Sequence, residues 1–313
     1  MFRRRFLATV LGAFCAAYAP SAIAADPVKV TIGTTLLADV MPAFVAKDKG
    51  FFAKHGLDVS FTFVPLNPTI PAALMAGSIQ VGAPNAAVFI QAADGGLDLQ
   101  LIAGSTTTPS MGAGMAYVTR PDVPYDDPRS LEGKKIIIPG LGSSVDVLFR
   151  KWLAGKKVDE RKISFIEIGS PQTDDALKAR SVDGAVVVEP FLTRVQQSGN
   201  GKLAARFMDG LADEKLGISY IATRSWIENN RAAAKAFSAA IDDAIAWANA
   251  NQKDARVIIQ GYTKLPQPVI DALPFPHMSN KLTPDAVSWW IDTMKEQNRI
   301  NGKLDPARLI AKP

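Results

Sequence analysis

Residues 42–59 read PAFVAKDKGFFAKHGLDV, and this stretch decides the fold. Its apolar residues recur at helical spacing, while three lysines and an aspartate supply the side that faces water. The apolar positions are Ala43, Val45, Ala46, Phe51 and Phe52. Gly56 stands where a left-handed residue commonly ends a helix. Apolar and polar residues alternate as in a strand over 28–33, before the stretch, and again over 57–64, at and beyond its end. This pattern predicts a strand–helix–strand unit.

The same alternation of short strands and helices continues along the chain. Further strands are predicted over 79–83, 97–105, 136–139, 163–168, 184–188 and 217–223, with short helices between them and long helices over 231–251 and 284–298. Such alternation is typical of βαβ units, so we expect an α/β fold with mainly parallel sheets. A proline-rich passage that begins at Pro121 opens a second unit, and the last strand runs back toward the first.

Residues 1–24 have the features of a secretory signal peptide. Three arginines at 3–5 precede an apolar stretch over 6–19, and residues 22–24 read AIA, a small-residue cleavage site. The apolar stretch is too short for a transmembrane helix. The arginines and the next two residues, RRRFL, also fit the core of a twin-arginine signal, although Phe2 replaces the usual hydroxyl residue. We therefore expect export to the periplasm, and the export route stays open.

Composition restricts the function classes. The chain's single cysteine, Cys15, lies in the predicted leader, so the mature protein needs no disulfide. Removal of the leader takes the net charge from +5 to +2, because 32 basic residues then face 30 acidic ones. A nucleic-acid partner is not expected at this charge. No residues have metal-ligand spacing or form a Gly-x-Ser-x-Gly motif, and Gly-Leu-Gly at 140–142 is too short for a nucleotide site. We expect no catalytic residue, metal or cofactor, and thus no enzyme.

Several stretches resemble, in order, those of the periplasmic solute-binding proteins of the NMT1/THI5 type, which include sulfonate, taurine and nitrate binders. The matching stretches are 42–59, ALMAGSIQVG at 73–82, LEGKKIIIP at 131–139, ALKARSVDGAVVVEP at 176–190 and ATRSWIENN at 222–230. Two departures are Gln80, where the family commonly has aspartate, and Arg180-Ser181, which replaces a small-residue step. The ordered set covers most of the mature chain.

The resemblance implies a type II periplasmic binding protein, with two doubly wound α/β lobes and a ligand cleft between them. It divides the chain into a signal peptide at 1–24, lobe 1 at 25–118 and 219–313, and lobe 2 at 119–218. It further implies a monomeric component of an ABC importer that delivers a small organic anion or zwitterion to an inner-membrane permease. An alkanesulfonate or a taurine-like compound is the simplest ligand of this kind.

Candidate ligand-binding residues follow from the rule that ligands of open α/β sheets bind beyond the carboxyl ends of the strands. Two of these ends also begin helices, whose free N–H groups and positive dipole ends favour anions. The candidates are Thr35, Leu36, Asn67, Asn85, Ala86, Thr107, Gly142, Ser143, Ser144 and Glu189.

Some of these candidates have a second interpretation. Asn85 and Ser144 can act as helix N-caps only, and Thr107 can belong to an ordinary hinge loop. Glu189 can cap the helix that begins near Phe191. If Glu189 instead faces the cleft, its carboxylate repels a plain anion and attracts an ammonium group.

Other functions stay open on the sequence alone. The ligand can be an aromatic carboxylate, nitrate or a thiamine-precursor pyrimidine. A THI5-like enzyme of pyrimidine synthesis is disfavoured by export and by the lack of cysteine in the mature chain. A protein that presents its ligand to a receptor kinase cannot be distinguished from a transport component by sequence.

Overall fold

Two five-stranded sheets organise the chain, each with helices on its faces. The computed structural model describes residues 26–208 and 214–312, and the predicted signal peptide, 1–24, lies outside the described residues. Within those ranges no helix is long and apolar enough to cross a membrane.

The helices and strands divide into three segments that follow one another along the chain. The first comprises β1 Val28–Thr34, α1 Met41–Asp48, α2 Phe51–Lys54, β2 Leu57–Phe63, α3 Ile70–Met75, β3 Val81–Gly82, α4 Ala86–Asp94, β4 Leu99–Gly104 and α5 Thr108–Gly114. The second comprises β5 Met115–Thr119, β6 Lys135–Ile138, α6 Ser144–Gly155, β7 Ser164–Glu167, α7 Thr173–Lys178, β8 Gly184–Val188, α8 Phe191–Ser198 and β9 Lys202–Ala205. The third comprises β10 Ser219–Thr223, α9 Arg224–Asn229, α10 Arg231–Ala250, α11 Gln252–Thr263, α12 Gln267–Ala272 and α13 Pro284–Glu296.

Both sheets have the same strand arrangement. Their orders are β2-β1-β3-β10-β4 and β7-β6-β8-β5-β9. In each sheet the first three strands of this order run parallel, and one strand, β10 or β5, runs antiparallel to both its neighbours. That strand arrives from the other sheet, so the chain crosses between lobes twice. The expected α/β fold with two mainly parallel sheets is therefore confirmed.

The first strand of the second sheet begins earlier than the predicted lobe boundary. Lobe 2 is expected from residue 119, whereas β5 already begins at Met115. The chain returns to the first sheet with β10, which begins at Ser219. β5 pairs with β8 from Met115 onward.

The opening stretch forms two helices rather than one. α1 ends at Asp48, and α2 begins at Phe51 after Gly50, whose φ of 74° is left-handed. Gly56 has a φ of 75°, as its position predicts, and leads into β2. Every residue from Met41 to Ala46 is buried, whereas Lys47 to Lys49 are exposed. The buried side of α1 is therefore wider than the spacing of its apolar residues in the sequence indicates.

A hydrophobic core joins the two lobes. Phe89 and Leu101 of the first segment and Tyr117 and Phe149 of the second belong to one buried cluster, in which Trp290 of α13 is fully buried. The Trp290 indole N–H donates to the carbonyl of Leu216, in the second crossover, at 2.7 Å. The C-terminal helix therefore packs where the chain crosses between lobes.

Candidate functional site

A cavity of about 330 Å³ lies between the carboxyl ends of the two sheets. Lobe 1 contributes Thr35, Leu36, Leu37, Phe63, Val64, Pro65, Asn67 and Asn85, and lobe 2 contributes Pro139, Ser143, Val145, Ser170, Pro171, Gln172 and Val188. Most of these residues end a strand or directly follow one. The cavity is hereafter called the cleft.

Five predicted ligand-binding residues line the cleft together: Thr35, Leu36, Asn67, Asn85 and Ser143. Ala86 and Ser144 lie one residue beyond Asn85 and Ser143, as the buried first residues of α4 and α6. The rule of strand ends thus brings together side chains that are far apart in sequence.

Gly142 and Thr107 are placed outside the residues that line the cleft. The Gly142 N–H donates to a carboxylate oxygen of Asp146 at 2.9 Å. Thr107 belongs to a separate depression of about 430 Å³ beside the crossover, where its hydroxyl lies 2.8 Å from His277 Nδ1. This position fits the interpretation of Thr107 as part of a hinge-side loop.

Three buried polar atoms of the cleft have no hydrogen-bond partner within the described residues. They are the Thr35 hydroxyl, the Asn67 side-chain NH₂ and the Ser143 hydroxyl. The residues are 8%, 4% and 1% exposed. Because an unpaired buried polar group costs about 1–3 kcal/mol, three of them around one cavity indicate a missing partner. All three can donate a hydrogen bond.

No charged side chain and no histidine is among the described residues that line the cleft. An anion there would be held by neutral hydroxyl and amide donors and by the N-terminus of α6, where Ser143 and Val145 line the wall. This set of donors suits a single negative charge with several oxygens better than a dianion.

The rest of the wall is apolar, and it includes an aromatic side chain. Phe63 lines the cleft and remains 46% exposed. Its ring centre lies 6.0 Å from that of Phe61. Both rings belong to a cluster in which Phe44 and Tyr262 stack with 4.1 Å between their ring centres. The Phe63 ring therefore gives the wall an aromatic surface that a nonpolar part of a ligand can contact.

Ten lining residues are absent from the sequence-based candidates, and they fall into two groups. Leu37, Phe63, Val64, Pro65, Pro139, Val145 and Val188 are apolar or proline residues next to predicted strand ends, where mainly polar side chains were expected to bind. Ser170, Pro171 and Gln172 follow the predicted strand 163–168, whose end supplied no candidate. The strand-end rule, extended to this strand, predicts all three.

Glu189 caps a helix inside the lobe interface. One carboxylate oxygen accepts from the Thr193 N–H at 3.0 Å and the other from the Thr193 hydroxyl at 2.9 Å. Glu189 is 4% exposed, and its backbone carbonyl accepts from the Ala38 N–H across the lobes at 3.3 Å. It is not among the residues that line the cleft.

Burial raises the pKa of the Glu189 carboxyl to about 7, although the two Thr193 bonds and the nearby Arg206 oppose that rise. The folded protein therefore holds this proton more tightly than the unfolded chain. Stability from this group is present at low pH and is lost as pH rises from the ordinary glutamate range to about 7. Exchange to glutamine keeps an acceptor for Thr193 and removes the titration.

We expect the free energy of unfolding of the parent protein to fall between pH 5 and pH 8 relative to that of Glu189→Gln, by on the order of 3 kcal/mol. Urea unfolding of both proteins across this pH range measures the difference. Glu167→Gln, at the end of β7, is the matched control for an exposed carboxylate. A constant difference between parent and Glu189→Gln would contradict a proton held in the folded state.

The described residues contain no cluster of three or more His, Cys, Asp or Glu side chains suited to a metal ion. The polar side chains that line the cleft carry hydroxyl and amide groups.

The model of the NMT1/THI5-like family matches residues 38–255. The chain belongs to this family. A binding protein of Brucella abortus (strain 2308) is 27% identical over 318 residues, an alignment that covers 97% of this chain and 94% of the relative.

Solved structures agree on the fold. The alkanesulfonate-binding protein of Xanthomonas axonopodis pv. citri, bound to MOPS, is similar with a TM-score of 0.79 and 18% identity, over 92% of this chain and 99% of that one. The nitrate-binding protein of Synechocystis PCC 6803 is similar with a TM-score of 0.75 and 19% identity, over 90% and 84%. This member of the NMT1/THI5-like family therefore has the fold of the periplasmic binding proteins.

Proposed function

We propose that this protein binds a small organic anion in the cleft and delivers it to the permease of an ABC importer. The unpaired Thr35, Asn67 and Ser143 groups carry the proposal, because three buried donors around one cavity call for a ligand with several acceptor atoms. These donors form hydrogen bonds to the ligand's oxygens, and the apolar wall contacts its nonpolar part.

An alkanesulfonate is the ligand that we favour. A sulfonate carries one negative charge over three oxygens, which fits neutral donors and the N-terminus of α6. A taurine-like zwitterion fits less well, because no carboxylate is among the described residues that line the cleft and could pair with its ammonium group. Nitrate fits less well because it has no apolar body to cover Phe63 and the prolines.

An aromatic carboxylate is the second candidate. The observation that favours it is Phe63, whose partly exposed ring lies at the wall and can stack on a planar ligand. In either case binding to one lobe is followed by closure of the other, and the closed form docks on the permease. Export to the periplasm by the predicted signal peptide belongs to the same proposal.

A thermal-shift panel on the mature protein tests the proposal. The panel contains octane-1-sulfonate, benzoate, taurine, nitrate and a pyrimidine. We expect octane-1-sulfonate or benzoate at about 100 times its Kd to raise Tm by about 5 °C, and taurine and nitrate to raise it less. If no compound shifts Tm, the proposed ligand class is wrong.

Ligand contact is separable from general stabilisation by one pair of variants. Ser143→Ala removes a donor of the cleft, and Ser288→Ala removes a hydroxyl of α13 that bonds to its own helix. We expect only the first to reduce the shift, by weakening binding about tenfold. Equal shifts in both variants would contradict a role for Ser143 in binding.

A further inference from the structure

Two helix N-termini from different lobes meet at one side chain beside the cleft. Asn85 is the N-cap of α4 in lobe 1, and its side-chain carbonyl oxygen accepts from the backbone N–H of Val88 at 3.2 Å. The same oxygen accepts from the Ser144 N–H at 3.0 Å, at the first residue of α6 in lobe 2. One amide oxygen therefore caps two helices.

The capping is reciprocal. The Ser144 hydroxyl donates to the Asn85 oxygen at 3.1 Å and accepts from the Ala87 N–H of α4 at 3.1 Å. Ser143, the formal N-cap residue of α6, makes no side-chain cap bond. Each lobe thus supplies the cap that the other lobe's helix needs, and separation of the lobes would leave both helices without these bonds.

This contact is connected to the cleft through Asn67. The side-chain carbonyl oxygen of Asn67 accepts from the backbone N–H of Asn85 at 2.9 Å. The side-chain NH₂ group of Asn67 is buried without a partner among the described residues. Asn67, Asn85 and Ser143 line the same cavity. A ligand oxygen bound to the Asn67 NH₂ therefore fixes the side chain that positions Asn85.

Electrostatics favour an anion beside this contact. Each helix N-terminus carries about half a positive charge, so closure brings two like partial charges together. A neutral amide oxygen offsets this only in part. An anion in the adjoining cleft lies close to both termini and favours the closed arrangement over the open one.

We propose that Asn85 couples anion binding to lobe closure, as a positioning residue that caps α4 and α6 at once. The inference rests on the proposed function, because it takes the cleft as the ligand site. It assigns to Asn85 and Ser144 the closed-state contact whose formation depends on the anion.

Pulsed electron resonance between two spin labels measures closure directly. The mature chain contains no cysteine, so Met75→Cys and Lys178→Cys introduce the only labelling sites. Both residues are exposed, at the ends of α3 and α7 that lie away from the cleft. Distances are recorded with and without octane-1-sulfonate, in the parent and in each Asn85 variant.

Two Asn85 variants have opposite expected results. Asn85→Ala removes the shared cap, so the long inter-label distance persists with octane-1-sulfonate present and affinity falls about tenfold, mainly through faster dissociation. Asn85→Asp places a carboxylate between two helix N-termini, so the short distance is populated without any ligand. The added charge also weakens anion binding about 100-fold.

Thr223→Ala is the control for loss of a cap elsewhere. Thr223 caps α9 by accepting from the Trp226 N–H at 3.1 Å, and it lies at the end of β10 away from the cleft. We expect this variant to keep the parent's distances. Ser144→Ala should reproduce Asn85→Ala, and the double variant should add little to either single one.

The results separate the two proposals. If the parent does not bind octane-1-sulfonate, the proposed ligand is wrong, while the ligand-free distance of Asn85→Asp, compared with that of the parent, still tests the coupling. The coupling is overturned if Asn85→Asp without ligand gives the parent's ligand-free distance, or if Asn85→Ala closes fully on the sulfonate.

Discussion

Asn67→Asp should weaken binding of an organic anion by about 100-fold or more, because it puts a carboxylate at the NH₂ group that we assign to the ligand. The exchange is nearly isosteric and keeps an oxygen that can accept the Asn85 N–H. The fold is therefore expected to remain. Isothermal titration with octane-1-sulfonate measures the loss.

The pH dependence of this variant adds a second test. A buried carboxyl with no cation beside it has a raised pKa, so lowering the pH should protonate it and restore part of the affinity. Asn230→Asp, at the start of α10, is the matched control and should bind like the parent. Unchanged affinity in Asn67→Asp would remove Asn67 from the binding site.

Trp290→Ala should lower the free energy of unfolding by about 3–5 kcal/mol. The side chain is fully buried in the core that joins the lobes, and its N–H bonds to the Leu216 carbonyl in the second crossover. Truncation leaves a cavity and an unpaired carbonyl at the same place. Urea unfolding monitored by circular dichroism measures the change.

Trp289→Ala separates this effect from the general loss of a tryptophan. Trp289 packs edge-on against Trp290 at 5.0 Å between ring centres but is only half-buried. We expect its truncation to cost less than about 2 kcal/mol, because less apolar area returns to water. Similar losses in the two variants would show that α13 does not depend on the buried ring.

Most of the fold could be predicted from local pattern. The strand at 184–188 is found with the predicted bounds, and Thr283 caps α13 by accepting from the Ala286 N–H three residues on at 3.2 Å. These features depend on residues that are neighbours in sequence. Local pattern therefore suffices for the parallel core of each sheet.

The strand β5 could not be found in this way. Its residues, MAYVT, are buried on both faces and show no alternation. It pairs antiparallel with β8, which begins at Gly184, and only the return of the chain makes that pairing possible. The antiparallel strand of the second sheet is thus a property of the topology, whereas β10 of the first sheet was predicted over 217–223.

The features of the cleft could likewise be predicted from sequence only in part. Thr35, Asn67 and Ser143 were predicted because each follows a strand, and the sheet edge brings such residues together. The bond of Ser144 to Asn85 joins different lobes, 59 positions apart, and no local pattern encodes it. The bond of Glu189 is easier to predict, because its partner Thr193 lies only four residues on, at helical spacing. The Thr193 hydroxyl is a local donor for the Glu189 carboxylate.

The central claim is that the cleft binds an organic anion through neutral donors. A crystal structure of the mature protein with the tightest binder of the panel tests it most directly. We predict ligand oxygens within hydrogen-bond distance of the Asn67 NH₂ and the Ser143 hydroxyl, with the ligand's body against Phe63. A ligand bound outside the cleft, or inside it with these two groups still unpaired, would contradict the account.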